Sequence, residues 1–221
     1  MSVIPLRQRG ADRPNISEQA YQHLRSLIIG QQLPPGSIVT ERRLAEALSA
    51  SRTPLRAAIS RLEGEGLVER LTTGAVVIRQ ISIDELMEIL SVRRLLEGEA
   101  AALAASRVDP NSLKPLIATS RDFCVDQNPD FEAYWRYDDA VHDLIATECG
   151  KPLLASLIDG LRQKARMCHV HRMPRSFDAQ AREHLAILEA LQNREARQAK
   201  RAMERHLDQV RSRLLDWLSK S

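Results

Sequence analysis

One aspartate and three histidines in the second part of the chain have a spacing that suits metal binding. In "YDDAVHDLI", Asp138 and His142 are four residues apart, so on a helix their side chains lie on one face. His184 follows the apolar spacing of "REHLAILEAL", and His206 follows that of "AMERHLDQV". We therefore expect these four side chains to point from three helices into the interior of one helical bundle.

An aspartate buried among imidazoles is costly unless a positive charge meets it, and a divalent cation supplies that charge. Imidazole nitrogens and a carboxylate oxygen are suitable ligands for Zn²⁺, Ni²⁺, Mn²⁺ or Fe²⁺, and we expect zinc in the protein as isolated. From the residues alone two roles are open: the metal is itself the signal, or the metal activates water in an enzyme.

The surrounding acidic residues bear on the enzyme alternative. The sequence has no HExxH motif, and no glutamate is evident as a general base on the face that carries the histidines. Glu183 is adjacent to His184, so we expect it to point elsewhere, and we expect Asp139 and Asp143 to face away from the site. The sequence therefore favours a binding protein over an enzyme.

A second group of residues, in "SRTPLRAAISRLEGEGLV", suits nucleic-acid recognition. Arg52, Thr53 and Arg56 fall in the first turns of a predicted helix, away from its apolar stripe. The planar guanidinium of arginine can pair with the edge of guanine or with a phosphate. The same charges also fit a solvated helix face, and the charge pattern alone favours that simpler interpretation.

Residues 16–80 are predicted to fold as a winged helix-turn-helix that presents these arginines. Two helices are followed by a short turn, a third helix that begins at the N-cap Ser51, and a hairpin around Gly74. A helix-turn-helix places its second helix in the major groove, and the hairpin would form the wing. Residues 1–15 are polar and basic, and we interpret them as a flexible arm.

Residues 81–221 are predicted to be entirely helical, which makes the protein mainly α. The segment opens on a capping box from Ser82 to Glu85 and shows no fixed repeat, so we expect a bundle rather than a solenoid. The predicted helices cover residues 82–109, 111–125, 130–148, 152–169, 178–191 and 195–218.

Composition and charge exclude several classes of protein. Of the 221 residues 43% are hydrophobic, yet no apolar run approaches the length of a membrane span, and the first residues lack the features of a secretory signal. The three cysteines have no paired spacing, which favours a reducing cytoplasm. Residues 1–80 hold 11 arginines against seven acidic residues, while the remainder is nearly balanced, so the basic excess coincides with the predicted DNA-binding part.

The N-terminal part resembles the winged-helix domain of the GntR family of bacterial transcription regulators. The resemblance covers about residues 17–79 and is carried by "LRSLIIGQQLPPGSIV", "ERRLAEAL", "SRTPLRAAISRLEGEGLV" and "TTGAVV". It implies contacts with operator bases and backbone from the second helix, the third helix and the wing tip. The residues are Arg42, Ser51, Arg52, Thr53, Arg56 and Gly74.

Residues 83–211 resemble the all-helical FCD ligand-binding domain of the FadR-type branch of that family. The matching pieces are "VRRLLEGEAAALAA", "DDAVHDLIATECGKPLL", "EHLAILEAL" and "MERHL". The resemblance implies that the metal anchors a small organic acid, and that Arg93 pairs with a second acidic group of that acid. A structural ion pair between Arg93 and Glu97 is the alternative. The implied metal ligands are Asp138, His142, His184 and His206.

Together these features predict a cytoplasmic, homodimeric transcription repressor and not an enzyme. It would bind a pseudo-palindromic double-stranded operator and respond to a small carboxylate metabolite.

Overall fold

In the computed structural model, the described residues form two compact units that divide between Arg79 and Gln80. The structure describes residues 16–30, 32–48, 51–126, 129–168 and 177–220. The flexible arm predicted for residues 1–15 lies outside them. The elements of the first unit are α1 (Ile16–Ile29), β1 (Ile38–Val39), α2 (Glu41–Ala47), α3 (Arg52–Gly64), β2 (Val68–Arg70) and β3 (Val76–Ile78).

The core of the first unit lies between α1 and α3, whose apolar side chains recur at helical spacing. Leu24 and Ile28 on α1 are completely buried, as are Leu55 and Ile59 on α3. Because the apolar stripe of α3 faces α1, the charged residues between its members are left on the outer face.

The N-terminal caps of α2 and α3 determine where the two helices of the helix-turn-helix begin. The side-chain oxygen of Thr40 accepts a hydrogen bond from the backbone N–H of Arg43 at 3.3 Å and caps α2. Ser51 occupies the predicted N-cap position of α3 with extended backbone angles, but its side chain makes no capping hydrogen bond. The position of the N-cap is confirmed, although Ser51 does not stabilise the helix in the usual way.

The wing is a three-stranded antiparallel sheet with the order β1-β3-β2. In the hairpin, Val68 lies opposite Ile78, and β1 pairs with the other edge of β3 through Ile38 and Val77. Gly74 at the hairpin turn has φ of +80°, a conformation that residues with a β carbon rarely adopt. The predicted hairpin is therefore confirmed, with one short strand added at its edge.

The second unit is entirely helical in its described residues. Ser82 accepts a hydrogen bond from the backbone N–H of Glu85 at 3.1 Å, which confirms the N-terminal cap of the first helix. Asp130 caps a later helix through the backbone N–H of Ala133 at 2.7 Å. The helices are α4 (Ile83–Ala104), α5 (Pro110–Val125), α6 (Phe131–Glu148), α7 (Pro152–Arg166), α8 (Phe177–Gln192) and α9 (Ala196–Leu218).

Side-chain contacts show in which direction these helices run relative to one another. The ion pairs Arg94–Asp208 and Glu99–Lys200 show that α4 and α9 run antiparallel, because the residue number rises on one helix as it falls on the other. Between α6 and α8 both numbers rise together, so these two helices run parallel. The ring contacts that show this are Phe131 with Phe177 and Tyr137 with His184.

The predicted fold class, a winged helix-turn-helix followed by a helical bundle, is confirmed. Two boundaries were wrong: α4 ends at Ala104, five residues before the predicted end, and α7 ends at Arg166. The rest of the predicted helix after Arg166 reaches residue 169, which lies outside the described residues. Among the described helices, none is long and apolar enough to cross a membrane.

Gly150 joins α6 to α7 with φ of +66°, and a β carbon there would also meet the guanidinium of Arg107. We expect Gly150→Ala to lower the free energy of unfolding by about 1–2 kcal/mol, because a side chain disfavours the left-handed conformation. Urea unfolding followed by circular dichroism measures this change.

Gly160→Ala is the matched control, since Gly160 lies inside α7 and an added β carbon has nothing within 4 Å. Alanine favours a helix over glycine by up to about 1 kcal/mol, so this variant should be as stable as the parent or more stable. Equal destabilisation by both variants would contradict the role of the Gly150 conformation.

Candidate functional site

Three histidine side chains from α6, α8 and α9 meet in the interior of the second unit. His142, His184 and His206 are buried, and one ring nitrogen from each lies within 4.8 Å of the others. The Nε2 atoms of His184 and His206 are 3.3 Å apart. Asp138 joins them, with Oδ1 at 3.6 Å from Nε2 of His184 and 3.9 Å from Nε2 of His142. The fold thus brings together the four side chains that the sequence singled out.

Two glutamates determine which nitrogen of two of these histidines is protonated. Nδ1 of His142 is hydrogen-bonded to Oε2 of Glu97, and Nδ1 of His206 to Oε2 of Glu183 at 2.8 Å. An ionised carboxylate only accepts hydrogen bonds, so each Nδ1 carries the proton and each Nε2 of a neutral ring keeps a free lone pair. Carboxylate–histidine pairs of this kind orient the histidine ligands of metals.

Burial favours the neutral rings that metal binding needs. Burial lowers the pKa of His142 to about 4, despite the opposing effect of Glu97. Burial and the neighbouring His206 also hold the pKa of His184 well below its usual value. Although burial alone would raise the pKa of Glu97, the adjacent Arg93 keeps it low, so Glu97 is ionised at neutral pH.

The donor set fits a divalent cation. The Nε2 atoms of His142 and His184 lie near the same oxygen of Asp138, and Nε2 of His206 faces Nε2 of His184. Nδ1 of His184 is buried and has no hydrogen-bond partner. Lone pairs gathered in a buried space are unfavourable unless a positive charge meets them. Three imidazole nitrogens and one carboxylate oxygen suit Zn²⁺ and related transition metals.

Asp138 also pairs with Arg162, an arginine on α7. Nη2 of Arg162 is 3.0 Å from Oδ2 of Asp138, and this buried guanidinium keeps the pKa of Asp138 low although burial opposes it. Arg162 also donates to Asp139 at 2.7 Å, and Arg166 pairs with the same carboxylate. The prediction that Asp139 faces away from the site was therefore wrong, whereas Asp143 is exposed as expected.

Glu183 does not point into the cluster, as expected, but it contacts one of the histidines from behind, which sequence reasoning missed. Its carboxylate accepts from His206, and from Arg213 at 2.6 and 3.0 Å. It therefore lies behind a histidine, on the side away from Nε2, and is not placed as a general base. Arg213 lies seven residues after His206, two helical turns along the same face, and this spacing was the available signal.

A cleft of about 950 Å³, its open mouth included, reaches the cluster and is lined by His142, His206 and Asp138. Arg93 also lines it, but its Nε already donates to Oε1 of Glu97 at 2.6 Å. The ion pair between Arg93 and Glu97, which was the alternative role for Arg93, is thus present, and Arg93 also borders the cleft. The other lining residues are Leu86, Leu90, Tyr134, Trp135, Arg162, Ala165, Arg166, Phe177, Gln180, Val210, Arg213 and Leu214.

The predicted DNA-contacting residues lie on the exposed side of the first unit. Arg52, Thr53 and Arg56 are all exposed on α3, opposite its buried stripe. The other three predicted residues are exposed as well, namely Arg42 on α2, Ser51 before α3 and Gly74 at the wing tip. None of the six residues forms part of the core of the unit.

Glu41, which the sequence did not single out, connects three elements of this face. Its carboxylate accepts from Nε of Arg56 at 2.9 Å and also pairs with Arg70 on β2. One acidic side chain at the start of α2 therefore holds α3 and the wing. Arg61 has a different environment, since its guanidinium lies 3.6 Å from the centre of the Tyr21 ring and pairs with Glu18, which indicates a structural role.

Comparison with known proteins agrees with this division of the chain. Residues 16–78 match the bacterial regulatory proteins of the gntR family, and residues 88–209 match the FCD domain. The HTH-type transcriptional repressor RspR of Escherichia coli K12 is 26% identical, over 92% of this chain and 94% of that protein. The Uxu operon regulator of Haemophilus influenzae is 30% identical, over 85% of this chain and 75% of that protein.

A solved structure shows the same fold. Escherichia coli McbR/YncC superimposes with a TM-score of 0.79 and 20% identity, covering 92% of this chain and 99% of that one. The predicted resemblance is confirmed, and the regulators that match are not enzymes. The chain belongs to the GntR family of bacterial transcription regulators and carries an FCD domain.

Proposed function

We propose that this regulator is a homodimeric repressor that binds a pseudo-palindromic operator in the cytoplasm. The exposed arginines in the first turns of α3 support this, because a recognition helix enters the major groove with its N-terminal residues next to the bases. Arg52, Thr53 and Arg56 would contact bases and phosphates from α3. Arg42, Ser51 and Gly74 would add contacts from α2, the N-cap and the wing tip. The similarity to a protein named a repressor supports repression rather than activation of transcription.

We further propose that Asp138, His142, His184 and His206 hold a divalent metal ion, with zinc as the ion found on isolation. The observation that carries this proposal is the convergence of three buried imidazole nitrogens and a carboxylate oxygen, with glutamates behind two of the rings. A bound metal would supply concentrated positive charge that attracts an anionic group from the cleft.

The signal in this proposal is a small organic acid whose carboxylate binds at the metal. The cleft that reaches the cluster supports this, because Arg93 and Arg162 both line it and both carry positive charge. Binding of the acid would change operator affinity through a coupling free energy of about 1–3 kcal/mol, or about 5- to 150-fold. A metal ion acting as the signal is the alternative that the experiments below separate.

Replacing Arg52 tests the recognition helix. We expect Arg52→Ala to weaken binding about 5- to 150-fold, because one good base contact contributes about 1–3 kcal/mol. The measurement is fluorescence anisotropy with a duplex that the parent protein selects from a random pool.

Arg121→Ala is the control, since it removes the same charge from an exposed position on α5, where Arg121 pairs with Glu189. Its operator affinity should equal that of the parent protein. Unchanged affinity of Arg52→Ala in the same assay would mean that α3 does not read the operator.

The double variant His184→Ala, His206→Ala tests the metal centre. We expect it to lose both the bound metal and the response of operator binding to organic acids, because two of the four proposed ligands are gone. Metal content after dialysis and operator release by a panel of acids are the two measurements.

Full metal occupancy of that double variant would show that the ligands were assigned wrongly. If operator binding by the parent protein follows added metal reversibly with no acid present, the metal is the signal. If the metal survives dialysis and only acids release the operator, the metal is an anchor.

A substitution of Glu183 tests whether the carboxylate behind His206 supports metal binding. We expect Glu183→Ala to weaken metal binding about 10- to 100-fold, because such carboxylates orient the ring and raise its basicity. Competition with a chromophoric zinc chelator measures the affinity. Glu189→Ala on the exposed face of the same helix is the control, and an equal loss in both variants would rule out a specific role for Glu183.

A further inference from the structure

The cleft beside the metal cluster has two chemically different ends. On α4 the polar residue Arg93 is preceded by Leu90 and Leu86, and on α9 the ligand His206 is followed by Val210 and Leu214. Because α4 and α9 run antiparallel, residues before Arg93 and residues after His206 extend in the same direction. The apolar side chains on both helices therefore lie on one side of the cluster.

The other helices of the cleft add two aromatic side chains to its lining. On α6, Trp135 precedes Asp138 by about one turn, and on the parallel helix α8, Phe177 precedes His184 by about two turns. Arg93 lies seven residues after Leu86, which corresponds to about 10 Å of helix at 1.5 Å per residue. An apolar wall thus extends well beyond the polar end. Its members are Leu86, Leu90, Trp135, Phe177, Val210 and Leu214.

The charged side chains along this wall are already paired. Arg166 lies with its guanidinium carbon 4.9 Å from the centre of the Trp135 ring and pairs with Asp139. Arg213 donates to Glu183 through Nη1 and Nη2, although its buried Nε has no hydrogen-bond partner. Paired guanidinium groups contribute little to a new polar contact unless the existing ion pair is broken. Arg93 and Arg162 at the polar end are paired as well, with Glu97 and Asp138, so a metal ion is the main partner left there for a carboxylate.

Uncharged hydrogen-bonding groups are scarce in the cleft. Outside the histidine cluster, the described lining residues with uncharged hydrogen-bonding groups are Tyr134, Gln180 and Trp135, and Tyr134 donates to Gln180 at 3.4 Å. An acid that carries several hydroxyl groups would have to bury them here with too few partners, which disfavours binding. An acid with an apolar body would instead remove apolar surface from water.

We propose that the effector is a single carboxylate on an apolar, aryl-containing body, and that polyhydroxylated sugar acids are rejected. The carboxylate lies at the metal end beside Arg93 and Arg162, and the ring packs against the apolar wall. This inference rests on the proposed acid-sensing function and adds the chemical class of the acid. The ring contacts Trp135 and Phe177, which suit edge-on or offset packing with another aromatic group.

Isothermal titration of the zinc-loaded full chain with 3-phenylpropionate and with gluconate tests this inference. Both probes carry one carboxylate and one negative charge, while gluconate has hydroxyl groups, one of them α to the carboxylate, where 3-phenylpropionate has its ring. The α-hydroxyl can add a second bond to the metal, so tighter binding of 3-phenylpropionate is a stringent test of the apolar wall. We expect 3-phenylpropionate to bind at least about tenfold more tightly, since its ring buries apolar area that gluconate cannot. It should also raise the melting temperature of the zinc-loaded protein.

Val210→Asn tests the wall itself, because the two side chains are similar in size and the change introduces polarity. Affinity for 3-phenylpropionate should fall about five- to tenfold, with zinc content unchanged. Leu215→Asn is the matched control, since Leu215 is the exposed neighbour on α9 and does not line the cleft. It should bind 3-phenylpropionate as the parent does.

The outcomes separate this inference from the function on which it rests. Gluconate binding as tightly as 3-phenylpropionate, or more tightly, overturns the apolar class while acid sensing stands. Equal losses in Val210→Asn and Leu215→Asn overturn the assignment of the wall. A protein that binds zinc but neither acid overturns the apolar aryl class, whereas acid sensing is overturned only if the panel of acids also fails to release the operator. A protein that binds no zinc overturns the metal proposal.

Discussion

A carboxylate is stable inside a helical bundle only where positive charge or hydrogen-bond donors meet it, and this constraint organises the second unit. Asp138 meets Arg162, and Glu183 meets Arg213 together with His206. Glu97 and the partly buried Glu183 accept the Nδ1 protons of His142 and His206, so the Nε2 atoms of these two rings are left as acceptors inside the cluster. The excess of acceptors over donors at the centre is what makes the cluster a cation site rather than an ordinary polar core.

The fold and the candidate site could be predicted from the sequence where helical periodicity alone decides them. Asp138 and His142 are four residues apart, so a helix places them together whatever surrounds it. Glu183 could not be placed in this way, because a residue next to a ligand is rotated by about 100° yet can still reach the neighbouring helix. Its position depends on α9, which supplies His206 and Arg213.

Residues whose role depends on packing between helices were the ones that sequence reasoning missed or left open. Arg162 lies four residues after the buried Ile158, so its burial could be predicted from helical spacing. Its pairing with Asp138 could not, because it depends on how α7 packs against α6. The ends of α4 and α7 were also misjudged, since alanine-rich and basic segments continue a helical pattern past the last helical turn. Propensity sets which residues can be helical, and the packing of neighbours sets where a helix stops.

The bond between Glu41 and Arg56 has a consequence for the entropy of DNA recognition. A long arginine side chain on a surface normally samples many rotamers, and ordering it on a ligand costs free energy. The bond uses Nε of Arg56, whereas the terminal nitrogens of a guanidinium are those that pair with guanine or a phosphate. Part of the ordering of Arg56 is thus accomplished when the unit folds, so the reading surface is preorganised before any operator is encountered.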